Sequence, residues 1–247
     1  MALHVYVKEN TSPKKKVVNY ISYVALTFGT LLLFWSFYPI ISFEIYSRIF
    51  MQNNMNTPIP KNENISSVDQ ANSVLGSFNV FSNNLRDFTK ANVWFPTKPQ
   101  NVGSKSLSLK EYFLSIPKIN IKDVKVVVGG EDLTKSLIHY FPQTLPGEYG
   151  NVVIFGHSTL PQLYNSKDYK TIFTYLPSLD KGDVIILKVN NLDYEYTIYD
   201  MFVVNPDQVS ILDQKNDAAY VTLVTCVPPG TYWKRLVVRA KLTQLPR

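Results

Sequence analysis

The stretch YVTLVTCVPPGTYWKRLVVRAKLT, residues 220–243, decides the fold that the sequence predicts. It contains two segments, YVTLVTC and WKRLVVRAKLT, whose short apolar and alternating runs are typical of β-strands. Val-Pro-Pro-Gly follows Cys226 at once, and two prolines cannot continue a central strand. The stretch therefore predicts a β-hairpin with Cys226 at the end of its first strand. We assume that residues Val227–Tyr232 form the loop of this hairpin.

The same pattern of short apolar or alternating runs extends through the C-terminal part of the chain. From Glu111 onward, short apolar or alternating runs are separated by Gly, Pro, Asn and Asp, which is typical of an all-β sandwich or barrel. We also expect two helical segments between strands, over Glu131–His139 and Asp168–Leu176. The predicted fold class is all-β, a single closed or nearly closed domain of seven or eight strands.

An uncharged run of 27 residues, Val17–Phe43, lies near the N-terminus. A helix needs about 20 apolar residues to cross a bilayer core, and aromatic residues at both ends of the run fit the two interfaces. Lys14–Lys16 directly precede it, so the positive-inside rule puts the N-terminus in the cytoplasm. The run predicts an uncleaved signal anchor with Pro39 near its exit, because a cleaved signal peptide has a shorter apolar region and a small-residue cleavage site.

These features divide the chain into four parts. They are a cytoplasmic tail (1–16), a transmembrane anchor (17–43), an extracellular linker (44–110) and the β-domain (111–247). The Asn-, Ser-, Thr- and Pro-rich composition of the third part favours a linker. The spacing of its apolar residues also allows a short helix over Val68–Lys90.

Charge and cysteine content narrow the function classes. The net charge is +6, but no Lys/Arg stripe marks the C-terminal two thirds, so no nucleic-acid partner is predicted. Cys226 is the only cysteine, and His4, His139 and His157 lack the spacing of metal ligands. The sequence therefore predicts no intrachain disulfide, no metal site and no cofactor.

Cys226 and His157 are the candidate reactive residues. A lone cysteine that ends a strand beside a loop is a candidate nucleophile, although a buried inert thiol fits the same position. His157 follows another predicted strand, GNVVIF, and is the best base candidate by elimination, because His139 falls in a predicted helix and His4 precedes the anchor. An ordinary loop histidine also fits.

The assumed hairpin register adds an arginine to this pair. It sets Cys226 opposite Trp233 and Arg235 opposite Val224, so Cys226 and Arg235 share one face as diagonal neighbours. Arg239 shares that face but lies too far along the sheet. An exposed strand charge fits either arginine equally well.

A cysteine, a histidine and an arginine form a coherent set for acyl transfer. The imidazole takes the thiol proton and later protonates a leaving amine. The guanidinium of Arg235 offers several donors to an oxyanion or to the substrate backbone. Thr225 adds a hydroxyl or a backbone donor as a candidate substrate-binding residue.

The motifs around these residues resemble those of sortases. TLVTC at Thr222–Cys226, followed nine residues after the cysteine by Arg235, resembles the TLxTC…R signature of that family. GNVVIFGHS at Gly150–Ser158 resembles its histidine segment, and FLSIPKI and KGDVIIL resemble its first and central strands. No clear aspartate–aromatic lid motif precedes the domain, and NVWFP at Asn92–Pro96 echoes one only faintly.

The resemblance implies an eight-stranded β-barrel with short helices and a transpeptidation. Cys226 would be the nucleophile, His157 the general acid/base and Arg235 the oxyanion or substrate clamp. The partners would be surface proteins with an LPXTG-like sorting signal and an amine acceptor on a cell-wall precursor or pilin. The VPPG loop and the RLVVRA segment look closer to pilin-type or minor classes than to the housekeeping class.

Two other functions fit parts of the sequence. A hydrolytic cysteine peptidase of another fold would need an Asn or Asp partner for His157. In a non-enzymatic, membrane-anchored surface binding module, Cys226 and His157 would be incidental. The separation of these two side chains distinguishes the binding module from an enzyme, because catalytic pairs lie near hydrogen-bond reach.

Overall fold

The computed structural model of the protein describes residues 13–51, 89–95, 109–140 and 142–244. One long helix, α1 (Pro13–Phe50), precedes a closed barrel of eight strands. The strands are β1 (Glu111–Ile116), β2 (Ile121–Val128), β3 (Leu137–Tyr140), β4 (Gly150–Phe155), β5 (Val184–Val189), β6 (Leu192–Val204), β7 (Ala219–Val227) and β8 (Lys234–Gln244). The described short helices are all 3₁₀ helices: Ala91–Val93, Pro117–Ile119, Pro161–Leu163, Leu176–Ser178 and Val209–Leu212. The predicted all-β barrel with one preceding apolar helix is confirmed.

The order of strands around the barrel is β1-β2-β3-β4-β7-β8-β6-β5. The pairs β2–β3 and β4–β7 are parallel, and the other neighbours are antiparallel. Strand β7 therefore has a parallel neighbour on one side and an antiparallel neighbour on the other. The strands that carry His157, Cys226 and Arg235, or lead to them, are adjacent.

The barrel packs apolar side chains on both of its faces. Inward-facing residues of every strand form the interior core, including Leu114, Ile154 and Leu223. A second cluster lies on the outer face of β3, β4, β6, β7 and β8, where residues 91–95 and the 3₁₀ helix Val209–Leu212 cover it. The near-continuous burial of β4 and β7 follows from this two-sided packing.

The predicted helix over Glu131–His139 is wrong. Residues Leu137–Tyr140 form strand β3, which is buried between β2 and β4. Upstream of it, the Asp132 carboxylate accepts hydrogen bonds from the backbone and hydroxyl of Thr134 at 3.0 and 2.6 Å. This local capping favours a turn, and the short apolar run that follows fits a buried strand better than a helix.

The predicted helix over Asp168–Leu176 is also wrong. The segment forms successive turns and then the 3₁₀ helix Leu176–Ser178. The Thr171 hydroxyl donates to the carbonyl of Asn165 at 2.6 Å, and the Thr174 hydroxyl donates to the carbonyl of Thr171 at 2.6 Å. Such side-chain bonds compete with the α-helical ladder for the same carbonyls, so the apolar spacing alone misled the prediction.

Helix α1 contains the predicted anchor and continues beyond it. It is the one helix among the described residues that is long and apolar enough to cross a membrane. Pro39, expected near the exit of the membrane segment or at a kink just inside it, lies within the helix. Most of the predicted linker, the helix expected over Val68–Lys90 except for its last two residues, and His4 lie outside the described residues.

His139 is a buried basic group inside the barrel. Its ring meets the ring of Tyr112 edge-on at 5.8 Å, and neither ring nitrogen has a hydrogen-bond partner among the described residues. Burial lowers the pKa of His139 to about 3, because a charged imidazole is disfavoured away from water. The folded domain therefore holds this histidine neutral.

This burial makes stability depend on pH. The pKa of His139 is lower in the folded than in the unfolded chain, so unfolding takes up a proton between about pH 6.5 and pH 3. As the pH falls through that range, we expect this group alone to lower the free energy of unfolding by about 1.4 kcal/mol per pH unit. In His139→Leu the slope should be smaller by this amount in guanidinium titrations of the intact chain in detergent. An unchanged slope would contradict the assignment. A change in the free energy of unfolding that is the same at every pH would reflect only altered packing.

Candidate active site

Three adjacent chain segments bring the predicted residues to one end of the barrel. In the parallel pair β4–β7, Phe155 lies opposite Val224. His157 and Cys226 each lie two residues farther along in the same direction, so the two segments run side by side. In the antiparallel pair β7–β8, Cys226 lies directly opposite Arg235. The structure thus brings the three residues into one row across neighbouring segments.

The hairpin register differs from the assumed one by two residues. Cys226 pairs with Arg235 and not with Trp233, and Val227 pairs with Lys234. The pairing continues one residue past Cys226, so the connecting loop is Pro228–Trp233. A shift of two preserves the shared face, and Arg235 becomes the direct neighbour of Cys226. Arg239, as predicted, is remote, with its guanidinium 5.0 Å from the ring centre of Phe202.

The three side chains are almost completely buried under the outer cluster. Cys226 is 2% exposed, Arg235 1% and His157 8%. Cys226 belongs to the apolar cluster that also contains Val224 and Trp94. These residues therefore do not lie in the barrel interior, but between the outer face of the sheet and the segment that covers it.

Hydrogen bonds fix the histidine segment against the end of β7. The Thr225 hydroxyl donates to the Gly156 carbonyl at 2.8 Å, and the Ser158 hydroxyl donates to the Cys226 carbonyl at 2.6 Å. Thr225 thus has its side chain on the opposite face of β7 from Cys226, where it bonds the residue before His157. A substrate-binding role for Thr225 stays a prediction, and Ser158 is a positioning residue that the sequence analysis missed.

Trp94 covers the site. Its ring centre lies 5.6 Å from that of His157, and the guanidinium carbon of Arg235 lies 5.3 Å from the Trp94 ring. The ring also stacks on Phe155 at 5.2 Å, and the side chain is fully buried. The NVWFP segment that echoed a lid motif only faintly therefore contacts two of the three predicted residues. No local sequence pattern pairs Trp94 with residues so distant along the chain.

Arg235 is held mainly by backbone carbonyls. One terminal nitrogen, Nη1, donates to the carbonyls of Tyr232 and Lys234 at 3.0 and 3.2 Å, and Nη2 donates to the carbonyl of Trp94 at 3.4 Å. Arg235 Nε and His157 Nε2 are buried without a hydrogen-bond partner among the described residues. Buried polar groups of this kind are available to a ligand that displaces the cover.

Burial sets the charge state of the reactive groups. Desolvation raises the pKa of the Cys226 thiol, and the Arg235 charge opposes this effect only in part. Desolvation, aided by the charge of Lys170, lowers the pKa of His157 to about 4. With the site covered, the Cys226 thiol and the His157 imidazole are therefore both neutral at pH 7. The described residues contain no group of three or more His, Cys, Asp or Glu side chains that could hold a metal ion.

The comparisons with known proteins agree on one family. The family model described as "Sortase domain" matches residues 114–243. Sortase D of Bacillus subtilis (strain 168) is 30% identical over 133 residues, which cover 52% of this chain and 61% of that protein. Sortase A of Bacillus anthracis is 32% identical over 145 residues, which cover 59% of this chain and 61% of that protein. The chain thus spans less than two thirds of the length of these curated relatives.

Solved structures of similar proteins superpose on the barrel. Sortase C of Streptococcus pneumoniae, whose structure is described in terms of catalysis and pilin substrate specificity, superposes with a TM-score of 0.51 at 26% identity, covering 62% of this chain and 78% of that one. Sortase A of Corynebacterium diphtheriae superposes with a TM-score of 0.51 at 23% identity, covering 72% of this chain and 86% of that one, and supports the fold alone. These relatives carry different class letters, so the pilin-type or minor class stays a prediction.

Removal of the Trp94 ring should expose and activate the thiol. Trp94 belongs to the buried cluster that contains Cys226, and burial raises the pKa of the thiol. We therefore expect Trp94→Ala to reduce this desolvation and to accelerate alkylation by iodoacetamide at pH 7 about ten-fold or more. The matched control is Trp233→Ala, since Trp233 is 62% exposed and its loss should leave the rate within about two-fold. Equal rates in wild type and Trp94→Ala, measured by mass spectrometry of the intact chain, would show that Trp94 does not limit access.

Proposed function

The chain belongs to the sortase family, and we propose that it is a membrane-anchored cysteine transpeptidase with Cys226 as nucleophile, His157 as general acid/base and Arg235 as oxyanion or substrate clamp. The observation that carries this proposal is the row of three buried side chains on β7, on β8 and on the segment that follows β4. An incidental cysteine and histidine would not require a buried arginine directly opposite the thiol. Burying a guanidinium is costly, and here three bonds to backbone carbonyls offset only part of that cost, since Nε has no partner among the described residues.

In the first half-reaction, the enzyme acquires an acyl group. His157 takes the proton of the Cys226 thiol, and the thiolate attacks the threonyl carbonyl of an LPXTG-like sorting signal. The carbonyl electrons move to oxygen, where the guanidinium of Arg235 stabilises the tetrahedral oxyanion. Collapse of this intermediate breaks the peptide bond, the protonated His157 donates its proton to the leaving amine, and a thioester remains on Cys226.

In the second half-reaction, an amine resolves the thioester. The amine belongs to a cell-wall precursor or to a pilin, and His157 takes its proton as nitrogen attacks the thioester carbonyl. Arg235 stabilises the second oxyanion, and the thiolate leaves and regains its proton. The product is a new amide bond, so no net hydrolysis occurs.

The proposed topology follows from the N-terminal helix. α1 carries Lys14, Lys15 and Lys16 in its first turn and an apolar segment after them, which favours a cytoplasmic N-terminus by the positive-inside rule. The barrel would then lie outside the membrane, where surface proteins and cell-wall precursors are found. This location also leaves Cys226 unpaired in an oxidising compartment, where burial protects the thiol.

The direct test is capture of the acyl enzyme. We expect the intact chain in lipid nanodiscs, incubated with a set of LPXTG-type peptides, to gain a peptide-fragment mass on Cys226 that an added amine removes as a ligated product. Cys226→Ala should give neither species, because the nucleophile is missing. A thioester that only water resolves would contradict the transpeptidase proposal and favour a hydrolase. A product that persists in Cys226→Ala would exclude Cys226 as nucleophile.

Substitutions of Arg235 and of His157 should separate the roles of these two residues. We expect Arg235→Met to lower kcat/KM by about 10²–10³-fold through the lost oxyanion donor, and Arg235→Lys to restore little because an ammonium lacks the planar fork. His157→Gln should lower kcat by about 10²–10⁴-fold. The matched control is Arg239→Met on the same face of β8, which should stay within about two-fold. If folded Arg235→Met, checked by circular dichroism, behaved like Arg239→Met, the clamp role would be excluded.

A further inference from the structure

Helix α1 changes its surroundings at Pro39. Side chains from Lys14 to Tyr38 are exposed, apart from the partly buried Gly29. Beyond Pro39, one face of the helix is buried at intervals of four residues, at Phe43, Ser47 and Met51. This spacing places the three residues on a single side. Within the described part of the chain, α1 is therefore exposed up to Tyr38, and it becomes buried near the end of the predicted membrane segment.

The buried face of α1 packs on the end of the barrel that carries the active site. Phe43 and Met51 join the hydrophobic cluster of the barrel interior, and an ion pair shows which end of the barrel the helix meets. Glu44 accepts a hydrogen bond from the Lys234 ammonium at 3.2 Å, with both side chains partly shielded. Lys234 directly precedes Arg235 in β8, so the anchor contacts the strand that holds the proposed clamp.

The helix geometry gives the height of this contact above the membrane. Trp35, Phe37 and Tyr38 are the aromatic residues that fit the outer interface, and Glu44 lies six residues beyond Tyr38 along α1. At 1.5 Å per residue this separation is about 9 Å along the axis. The headgroup region on each side of a bilayer is about 5–8 Å thick. With Tyr38 at the outer interface and α1 along the membrane normal, Lys234, which contacts Glu44, would lie close to the outer edge of the lipid headgroups.

The loop that precedes Lys234 exposes two aromatic side chains at this height. Trp233 is 62% exposed and Tyr232 is 38% exposed. Tryptophan and tyrosine are enriched at the membrane interface because their rings are apolar and their N–H and O–H groups remain hydrated. We propose that the loop Pro228–Trp233 rests on the bilayer with Trp233 and Tyr232 among the lipid headgroups, so that the active site opens at the membrane surface.

This inference rests on the proposed membrane anchoring and deepens it. The partner of the loop is the lipid bilayer itself, and the docked face of α1 holds the barrel against it. Cys226 and Arg235 flank the loop on its two strands. The arrangement favours reactants that are themselves held at the membrane surface over reactants that diffuse in solution.

The test measures lipid contact at three single positions. In a Cys226→Ala background, one cysteine is introduced as Leu31→Cys, Trp233→Cys or Tyr149→Cys and labelled with a nitroxide. Tyr149 is the matched control, because it is 69% exposed and lies beside the opposite end of β7. The intact chain is reconstituted into phosphatidylethanolamine/phosphatidylglycerol vesicles. Collision rates with oxygen, which concentrates in lipid, and with a water-soluble nickel chelate are then compared.

We expect the labels at positions 31 and 233 to favour oxygen and the label at 149 to favour nickel, with an oxygen-to-nickel ratio at 233 at least about three-fold above that at 149. A label at 233 that matches the one at 149, with position 31 in lipid, would overturn the inference and leave the anchoring intact. A label at position 31 that favours nickel would overturn both.

A second pair of variants tests whether docking of α1 holds the loop in place. Ser47→Trp inserts a wedge into the buried face, whereas Ile49→Trp adds the same ring at a position that is 67% exposed. We expect Ser47→Trp to lower the oxygen-to-nickel ratio at position 233 toward that at 149, with position 31 unchanged. Ile49→Trp should leave all three ratios unchanged. A ratio at 233 that does not respond to Ser47→Trp would overturn the role assigned to the docked helix.

Discussion

The pairing of β7 with β4 on one side and β8 on the other is the constraint on which the rest of the site depends. A parallel neighbour brings His157 alongside the end of β7, and an antiparallel neighbour brings Arg235 opposite Cys226. Neither pairing alone would assemble three residues that lie far apart in the sequence. β7 is also covered on both faces, by the interior core and by the outer cluster, which explains why its buried residues are mostly apolar and why the buried Thr225 hydroxyl is hydrogen-bonded to the histidine segment.

The same burial explains why the reactive groups are uncharged in this structure. Apolar packing on the outer face of the sheet keeps the thiol and the imidazole neutral, and Trp94 contacts both His157 and Arg235. An extended peptide that reached Cys226 would have to displace this ring. The Arg235 Nη2 bond to the Trp94 carbonyl would then be exchanged for one to the substrate. In the proposed function, the Trp94 segment and the substrate would therefore compete for the same guanidinium.

Period-two alternation was sufficient to predict the fold class and the shared face of Cys226 and Arg235. It could not fix the register, because the loop length was assumed, and the two-residue error went undetected since an even shift preserves the faces. Apolar spacing misled at Glu131–His139 and Asp168–Leu176, where carboxylate and threonine side chains bond the local backbone. Trp94 and the docking of Phe43 and Met51 depend on tertiary contacts that no local pattern contains.

The most direct test of this account is the structure of the protein bound covalently to a sorting-signal peptide in which the threonyl carbonyl is replaced by an electrophilic ketone. The account predicts a bond from the ketone carbon to Cys226 Sγ, with the resulting oxygen within hydrogen-bond distance of the Arg235 guanidinium. It also predicts that the peptide occupies the space that the Trp94 ring fills here. A bound peptide with Cys226 unmodified, or an adduct whose oxygen lies away from Arg235 with Trp94 still stacked on Phe155, would contradict it.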